Sequence, residues 1–438
     1  MKLRDTILAI NDVEPGLINA VKKHSRRLGR DLKGVVLIGH KYFDHPERAK
    51  DKTGFFKEIV CDFDNPDELQ KILKPYQYKL LAATCRNESA IQQFRKVVPF
   101  LPYIHTPSAS ALQWANEKHL MRDRLRNYDH KLVPKYKYIP EFNPEILKSL
   151  TDHLSFPVIV KPIGLAASLL VERCDNESEL KRCLIRTFQT IENIYSRERG
   201  RGRPSVLIEE MIHGDMYSTD AYVSPTGEIY CLPLVKVITA HAIGLQGFYS
   251  YRHIVPIDLS QKEVDKAFTV AADSIKALNL STVTTHIELF QSPDGWKIIE
   301  VGPRIGGYRE ALYRGAYGVD HYYNDLAVRM GEKPEMPTKP IAHAAGLNIY
   351  PEQEGHIKSI TGLEEARKLS SVAYLNPHAQ PGDLALFAGN GGYLIVDGIL
   401  SNKDPEKLEA DVAKVRELIK INVDPTTYLE SAEEPLIS

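Results

Sequence analysis

The chain has 438 residues, of which 43% are hydrophobic and 26% charged, a globular composition with room for about three domains. Its 56 Lys and Arg residues nearly balance 57 Asp and Glu residues, and the net charge of −1 excludes a general attraction to nucleic acid or anionic membranes. Any bound anion must therefore meet locally placed cations. The five cysteines are scattered without C-x-x-C spacing, which favours reduced thiols over disulfides or a zinc site.

The apolar run after Met1–Asp5 is too short for a signal peptide, and no stretch is long enough to span a bilayer. We therefore expect a soluble, cytoplasmic protein. Residues 1 to about 105 alternate apolar runs with helical patterns, which predicts an α/β domain around a mostly parallel sheet. The expected strands are Ile7–Ile10, Val35–Gly39, Glu58–Asp62 and Lys79–Ala83, and the helices are Leu17–Leu28, Asp67–Leu73 and Glu88–Leu101. Because no G-x-G-x-x-G follows the first strand, this domain is predicted to be a scaffold or substrate-side domain.

The pattern changes after this domain. We divide the rest into a connecting helix with a small subdomain (106–205), a larger subdomain (206–335) and a β-rich subdomain with a terminal helix (336–438). The helical periodicity predicts single helices over Ser108–Arg126, Val264–Leu278 and His321–Met330. The last helix is expected to begin with Asp404 as its N-cap and Pro405 in its first turn.

Two carboxylates are predicted to face each other across a hairpin. The strands Thr285–Phe290 and Trp296–Val301 flank a Ser-Pro-Asp-Gly turn, and folding about Asp294 places Glu288 opposite Glu300 on one face. Like charges in this position destabilise a sheet, so an interior pair indicates a bound cation. Oxygen ligands without His or Cys favour Mg²⁺ shared with nucleotide phosphates. The alternative is a solvated hairpin with both acids facing water.

Two basic residues are candidates for binding an anion. Arg304 lies in the tight segment Gly302–Gly307, where its guanidinium could hold a phosphate or carboxylate, and a surface arginine is the alternative. Lys161 is near the end of the apolar strand Phe156–Pro162, and small residues follow at Gly164–Ser168. A lysine on a buried strand is costly unless it meets an anion, and small residues let backbone N–H groups approach phosphates. The loop is not a Walker A sequence.

The ordered series of these segments resembles the ATP-grasp superfamily, specifically its carboxylate–amine ligases, which include L-amino acid ligases. The series contains Lys118, Pro157–Ser168, Val206–Gly214, the two hairpin acids and Gly302–Gly307, and the resemblance covers residues 1 to about 420. It implies an α/β (α+β) ATP-grasp fold with an N-terminal pre-ATP-grasp domain and a β-rich C-terminal subdomain. In this family ATP lies between two subdomains, and a carboxylate is phosphorylated to an acyl phosphate that an amine attacks.

The resemblance also implies individual roles. The residues expected at the nucleotide are Lys118, Lys161, Gly164, Ala167, Ser168, Glu209, Glu210 and Ile212. Among them, Lys161 would contact phosphates, Gly164–Ser168 would fold over them, and Glu209, Glu210 and Ile212 would line the adenine hinge. Glu288 and Glu300 would hold Mg²⁺, with Mn²⁺ as an alternative ion. Arg304 would steady the acyl phosphate, and Lys236 would contact phosphate unless it is simply an exposed strand lysine.

Three positions depart from the family pattern. Asp215-Met216 follows Gly214 where the family usually has G-x-E, so Asp215 is predicted as the substitute at the ribose. Gly302 stands where many members have an asparagine as a third metal ligand, and some amino-acid ligases of the family likewise look glycine-like at this position. His286 stands where some relatives keep arginine, and it is predicted either to touch phosphate or to pack within its strand.

The substrate side is predicted from basic residues and one long segment. Arg309 and Arg252, with His253 beside it, are candidates for binding the α-carboxylate of an amino-acid substrate. The segment Ile238–Tyr251 is predicted as a lid or pocket loop, and a long hairpin connection is the alternative. The charged run Arg197–Arg203 lacks interleaved aromatics and is predicted to be a solvated loop.

The leading interpretation is an ATP- and Mg²⁺-dependent ligase that joins a carboxylate, expected to be an amino acid, to an amine of an amino acid or peptide, releasing ADP and phosphate. One alternative is an ATP-grasp ligase of the purine or carboxylase type, and another is a catalytically silent ATP-binding regulatory protein. The expected partners are small-molecule substrates, without nucleic acid or membrane, and a homodimer is one expected assembly. The sequence leaves the two substrates open, because their pockets are built from loops that vary around the ATP core.

Overall fold

The computed structural model describes most of the chain, namely residues 4–45, 48–143, 150, 153–164, 170–198, 204–245, 248–387, 392 and 394–425. These residues form four sheets. None of the helices within the described ranges has the length and hydropathy needed to cross a membrane. The five cysteines are all unbonded, and only Cys231 is partly exposed, as expected for reduced thiols.

The first sheet is fully parallel, with strand order β3-β2-β1-β4. Its elements are β1 (Thr6–Ile10), α1 (Pro15–Leu28), β2 (Lys33–Gly39), α2 (His40–Phe43), β3 (Phe56–Cys61), α3 (Pro66–Leu73), β4 (Leu80–Thr84) and α4 (Ile91–Val97). The four predicted strands are confirmed to within two residues at each end. The Asn65 side chain caps α3 by accepting a hydrogen bond from the backbone N–H of Glu68 at 3.1 Å.

The long helix predicted after this domain is wrong as a single element. Two helices, α5 (Ala109–Asn116) and α6 (Lys118–Tyr128), meet at Glu117, whose φ of −106° and ψ of 106° are extended rather than helical. The break makes Lys118 the first residue of α6 and places Arg122 one turn later. Residues four apart share a helix face, so both cations project from the same side.

A small antiparallel sheet follows. It contains β5 (Tyr136–Ile139), β6 (Val158–Pro162), β7 (Glu172–Cys174) and β8 (Val206–Glu210) in the order β5-β8-β6-β7, together with the helix α7 (Glu177–Glu198). Apolar residues of β6, β8 and α7 share one core. Because β8 pairs with β5 and β6, residue 206, at which the sequence predicts a boundary, lies inside this sheet.

The remaining elements build a nine-stranded sheet and a three-stranded sheet. They are β9 (Asp215–Val223), β10 (Ile229–Cys231), β11 (Val235–Thr239), β12 (Ser250–Val255), α8 (Gln261–Ala277), β13 (Val283–Ser292), β14 (Gly295–Gly302), α9 (Arg309–Tyr317), α10 (His321–Arg329), β15 (His343–Ile349), β16 (Gly355–Thr361), α11 (Leu363–Arg367), β17 (Val372–Pro377), β18 (Leu384–Ala385), β19 (Val396–Asn402), α12 (Pro405–Leu418) and β20 (Lys420–Asp424). The large sheet has the order β14-β13-β9-β11-β12-β15-β19-β17, with β10 beside β9, and the small one has the order β18-β16-β20. The boundary predicted at residue 336 therefore does not separate two sheets, because β15, β17 and β19 extend the same sheet. The predicted cap is confirmed, since Asp404 accepts the N–H of Glu406 at 2.9 Å.

The two faces of the nine-stranded sheet differ in character. Glu288 lies opposite both Glu300 and Ser218, and alternation places His286 and Asp220 on the same face. We call this the polar face, and α9 covers part of it through apolar contacts with β12, β15 and β19. The opposite face packs its apolar side chains against α8 and α12. The alternation thus places Asp220, His286, Glu288 and Glu300 together on one side.

Candidate active site

A cavity of about 320 Å³ lies between the small sheet and the polar face, within the size range of small-molecule sites. Its lining includes the predicted nucleotide residues Lys118, Lys161, Glu209, Glu210 and Ile212, and the two predicted metal ligands Glu288 and Glu300. Gly164 lies two residues after β6 with a φ of +85°, a backbone conformation that favours glycine. The predicted roles of Ala167 and Ser168 fall outside the described residues, as do the side chains of Arg197–Arg203.

The Glu209 carboxylate sits between two cations. It accepts hydrogen bonds from Arg122 Nε and from Lys161 Nζ, the latter at 2.5 Å. Burial opposes its ionisation, but Arg122 and Lys161 more than offset this effect and lower the pKa of Glu209 to about 2. Arg122 Nη2 also donates to the carbonyl of Ile299 at 2.8 Å. Glu209 therefore fixes the position of Lys161 at the cavity wall. Arg122 was not identified from the sequence. Its position four residues after Lys118, on the same helix face, was the available signal.

Glu209→Gln should destabilise the protein more at about pH 5 than at about pH 3. The folded-state pKa of Glu209 is about 2, against an ordinary 4.5, so the ion pairs stabilise fully above the ordinary value and lose their effect as the pH falls towards 2. The glutamine of the variant has no charge to lose over this pH range. We expect the difference in free energy of unfolding between the wild type and Glu209→Gln to shrink by about 2 kcal/mol from about pH 5 to about pH 3. Urea titration at each pH measures it.

Glu228→Gln is the control for this comparison, because it removes an exposed carboxylate. Its difference from the wild type should stay nearly constant with pH. An equally constant difference for Glu209→Gln would contradict the assigned ion pairs.

The predicted acidic hairpin is confirmed by the strand register, in which Glu288 lies directly opposite Glu300. Lys118 Nζ donates to Glu300 Oε2 at 2.6 Å, and His286 Nε2 lies 3.5 Å from Glu288 Oε1. Burial opposes the charged form of Glu288, yet His286 and Lys118 lower its pKa below the ordinary value. Among the described residues no cluster of three or more His, Cys, Asp and Glu side chains is arranged for a metal. The two carboxylates nevertheless fit a hard cation such as Mg²⁺, which usually takes few protein ligands and completes its shell with phosphate and water oxygens.

A buried aspartate organises the polar face beside this pair. Asp220 Oδ1 lies 2.6 Å from His286 Nδ1, while Oδ2 lies 2.9 Å from His321 Nε2 and accepts the N–H of Gly306 at 2.8 Å. Burial opposes its charge, but the two histidines hold the pKa of Asp220 well below its usual range. Asp220 thus orients His286 and anchors the segment before α9. Asp220 was not identified from the sequence.

Arg304 is held by a residue of the N-terminal domain. Its Nε donates to Glu88 Oε2 at 3.1 Å, its Nη2 donates to the same oxygen, and its Nη1 donates to the carbonyl of Ile305 at 3.0 Å. Glu88 and Arg304 are 216 residues apart, and no local signal could have predicted the contact. The N-terminal domain therefore supplies a residue next to the site.

Two predicted residues lie on the wrong face of the large sheet. Lys236 is opposite Tyr217, one residue out of phase with Ser218, and its Nζ donates to Asp215 Oδ2 at 2.9 Å. Strand alternation directs both Lys236 and Asp215 away from the polar face. Neither belongs to the cavity lining, whereas Met216 does. This arrangement does not support the predicted phosphate contact of Lys236 or the predicted ribose contact of Asp215.

The same alternation separates the predicted substrate residues. Arg252 points to the opposite face, where its Nη1 donates to Glu409 Oε2 of α12 at 2.9 Å, so the geometry does not support its predicted role. His253 and Arg309 lie together on the polar face. Arg309 Nη2 donates to Ser218 Oγ at 2.6 Å and lies 3.3 Å from His253 Nδ1. Burial, and then Arg309, lower the pKa of His253 well below its ordinary value.

Three nitrogens of this pair have no hydrogen-bond partner in the described structure, namely Arg309 Nε, Arg309 Nη1 and His253 Nε2. Arg309 is only 2% exposed, so these N–H groups are buried without a partner, and neither residue is part of the cavity lining. Binding of a substrate carboxylate by this pair remains our prediction.

The segment Ile238–Tyr251 connects the antiparallel strands β11 and β12 and is therefore a hairpin connection. It also contributes Thr239, His241, Ala242 and Phe248 to the cavity lining. The described residues thus form a hairpin connection that also lines the cavity, and a role as a lid stays a prediction.

This fold and this cavity define an ATP-grasp architecture. Residues 154–311 match the ATP-grasp domain, and residues 348–424 match the L-amino acid ligase C-terminal domain 2. The chain therefore contains an ATP-grasp domain, followed by a C-terminal domain of the type found in L-amino acid ligases.

Individual relatives are distant. The chain is 22% identical over 267 residues to an L-arginine-specific L-amino acid ligase of Bacillus subtilis, covering 58% of this chain and 59% of that protein. It is 26% identical over 218 residues to a phosphoribosylamine–glycine ligase of Methanosphaera stadtmanae, and the match covers 46% of this chain and 47% of that protein. The matches thus span 47% to 59% of the lengths of these curated relatives. The crystal structure of an L-amino acid ligase from Bacillus licheniformis shares the fold, with a TM-score of 0.72, 18% identity, and coverage of 97% of this chain and 100% of that one.

Proposed function

We propose that the protein is an ATP- and Mg²⁺-dependent carboxylate–amine ligase whose acid substrate is an amino acid. One observation carries this proposal. A single cavity between two sheets brings together Lys118, Lys161 and the pair Glu288 and Glu300, which are the charges that a nucleotide triphosphate and its metal require. The match of residues 348–424 to the L-amino acid ligase C-terminal domain 2 supports an amino acid as substrate.

In the proposed first step, a substrate carboxylate oxygen forms a bond to the γ-phosphorus of ATP. The bond from that phosphorus to the β,γ-bridging oxygen breaks, and ADP leaves. Such transfers depend on positioning and on charge neutralisation. Lys161, fixed by Glu209, and Lys118 supply positive charge. Glu288 and Glu300 would hold Mg²⁺, which neutralises phosphate charge when bound.

In the second step the amine nitrogen attacks the acyl carbon, the carbon–oxygen bond to phosphate breaks, and the nitrogen loses its proton as phosphate leaves. Arg304 is the residue that we assign to the negative charge developing on the acyl phosphate, because Glu88 holds its guanidinium in place. An acyl phosphate hydrolyses in water, and the β11–β12 connection contributes Phe248 and Ala242 as a wall of the cavity.

The test is to incubate the purified protein with ATP, Mg²⁺ and amino acids, singly and in pairs, while ADP and phosphate are measured and products are identified by mass spectrometry. We expect one ADP and one phosphate per amide formed. With an acid labelled by ¹⁸O in its carboxylate, one label should appear in the released phosphate. Formation of AMP and pyrophosphate, or no stimulation by any amino acid, would contradict the proposal.

A further inference from the structure

Polar side chains continue along the polar face beyond Arg309, towards the C-terminal edge of the sheet. Asn348 of β15 is paired in register with Asp397 of β19, and His253 of β12 is opposite Gly346, two residues before Asn348. Alternation places all three side chains on the same face. They are nearly inaccessible, with exposures of 5% for His253, 5% for Asn348 and 3% for Asp397.

The Asn348 amide is only half satisfied. Its Nδ2 donates to the carbonyl of Ser250 at 2.7 Å, but Oδ1 has no hydrogen-bond partner among the described residues. Leaving a buried acceptor unpaired costs about 1 to 3 kcal/mol, so the geometry favours a donor that arrives with a ligand. Asp397, opposite Asn348, accepts from His378 Nε2 and adds a negative charge to the same place.

Two tyrosines, Tyr308 and Tyr374, lie close to Asp397. The Tyr308 ring lies 5.9 Å from the His253 ring, and Tyr350 stacks on Tyr249 at 3.8 Å. Burial and then Asp397 raise the pKa values of the Tyr308 and Tyr374 hydroxyls, so both residues are neutral and close to this carboxylate. Aromatic faces beside a carboxylate form a favourable environment for a cation.

The face therefore has donors at one end and acceptors at the other. Arg309 has two unpaired nitrogens and Asn348 Oδ1 is an unpaired acceptor, while the Asp397 carboxylate also accepts hydrogen bonds from His378 and Tyr374. This arrangement is complementary to a molecule that carries both a carboxylate and a positively charged nitrogen.

We propose that Asn348 and Asp397 form a subsite that binds the cationic nitrogen, an ammonium or a guanidinium, of the amino-acid substrate. The inference rests on the proposed ligase function. It additionally specifies that the substrate carries a positively charged nitrogen at this subsite. The nitrogen could be the α-ammonium group or a side-chain group, and both would use the same acceptors.

The test compares wild-type protein with Asp397→Asn by kcat/KM for ADP release. The acid substrates are lysine with norleucine, arginine with citrulline, and alanine with propionate, so each pair differs mainly in one nitrogen or its charge. If the subsite binds a side-chain cation, Asp397→Asn should lower kcat/KM by about 10- to 100-fold for lysine and arginine only. If it binds the α-ammonium, the loss should affect every amino acid but spare propionate.

Asn348→Leu, which removes the unpaired acceptor at similar volume, should show the same selectivity and provides a second variant if Asp397→Asn folds poorly. Asp383→Asn removes an exposed carboxylate of the same C-terminal region and should leave all values unchanged. Equal losses for charged and uncharged substrates, or no loss for any, in an active protein would overturn the subsite. Absence of wild-type activity with every acid would instead contradict the ligase proposal itself.

Discussion

Glu288→Gln and Glu300→Gln should each lower kcat by about 10³-fold, because a bound Mg²⁺ supplies several kcal/mol of charge stabilisation during phosphoryl transfer. The amide keeps the shape of the side chain but loses the negative charge that attracts the ion. The two residues lie opposite each other on the polar face, so both losses should be similar. The measurement is ADP release at saturating ATP over a range of Mg²⁺ concentrations.

Glu409→Gln is the matched control, since Glu409 forms its ion pair with Arg252 on the opposite face of the same sheet. We expect its kcat to stay within about 2-fold of the wild type, because exposed ion pairs contribute little. Turnover that survives in both hairpin variants would show that the metal assignment is wrong.

Lys161→Met is expected to raise the KM for ATP and to lower kcat/KM by about 10²- to 10³-fold. A charge-assisted contact to phosphate is lost, while Arg122 continues to pair with Glu209 and preserves the cavity wall. Nucleotide titration followed by calorimetry, together with steady-state kinetics, separates the binding loss from the catalytic loss.

Lys236→Met provides the corresponding control from the neighbouring sheet. Its Nζ is held by Asp215 away from the cavity, so kinetic constants should change by no more than about 2-fold. A large loss in this variant, with little loss in Lys161→Met, would reverse the assignment of the phosphate-binding lysine.

Features that depend on neighbouring residues along the chain were predictable. The parallel strands of the first domain follow from apolar runs, and the Glu288–Glu300 pairing follows from a four-residue turn and the period-two rule. The caps at Asn65 and Asp404 follow from side chains that accept hydrogen bonds from the first turn of a helix. In each case the interacting groups are close in sequence, so the pattern contains the necessary information.

Features that depend on which strands become neighbours were not predictable in the same way. The face of the sheet towards which Lys236 points is fixed by its register with Tyr217 of β9. A single sequence does not reveal this register. Arg252 and His253 are adjacent in one strand and must point to opposite faces, but only the packing of α12 shows which face is which. The interruption at Glu117 is equally hidden, because its side chain is compatible with a continuous helix.

The contact between Glu88 and Arg304 joins two parts of the chain whose hydrophobic cores are separate. The acid belongs to a segment that packs with the N-terminal sheet, whereas the arginine follows the last strand of the metal hairpin. A truncated protein could retain the nucleotide cavity and still lack the anchor for its arginine. A chimera that replaces only one of these two segments should therefore keep Arg304 anchored only if an acid is retained at position 88.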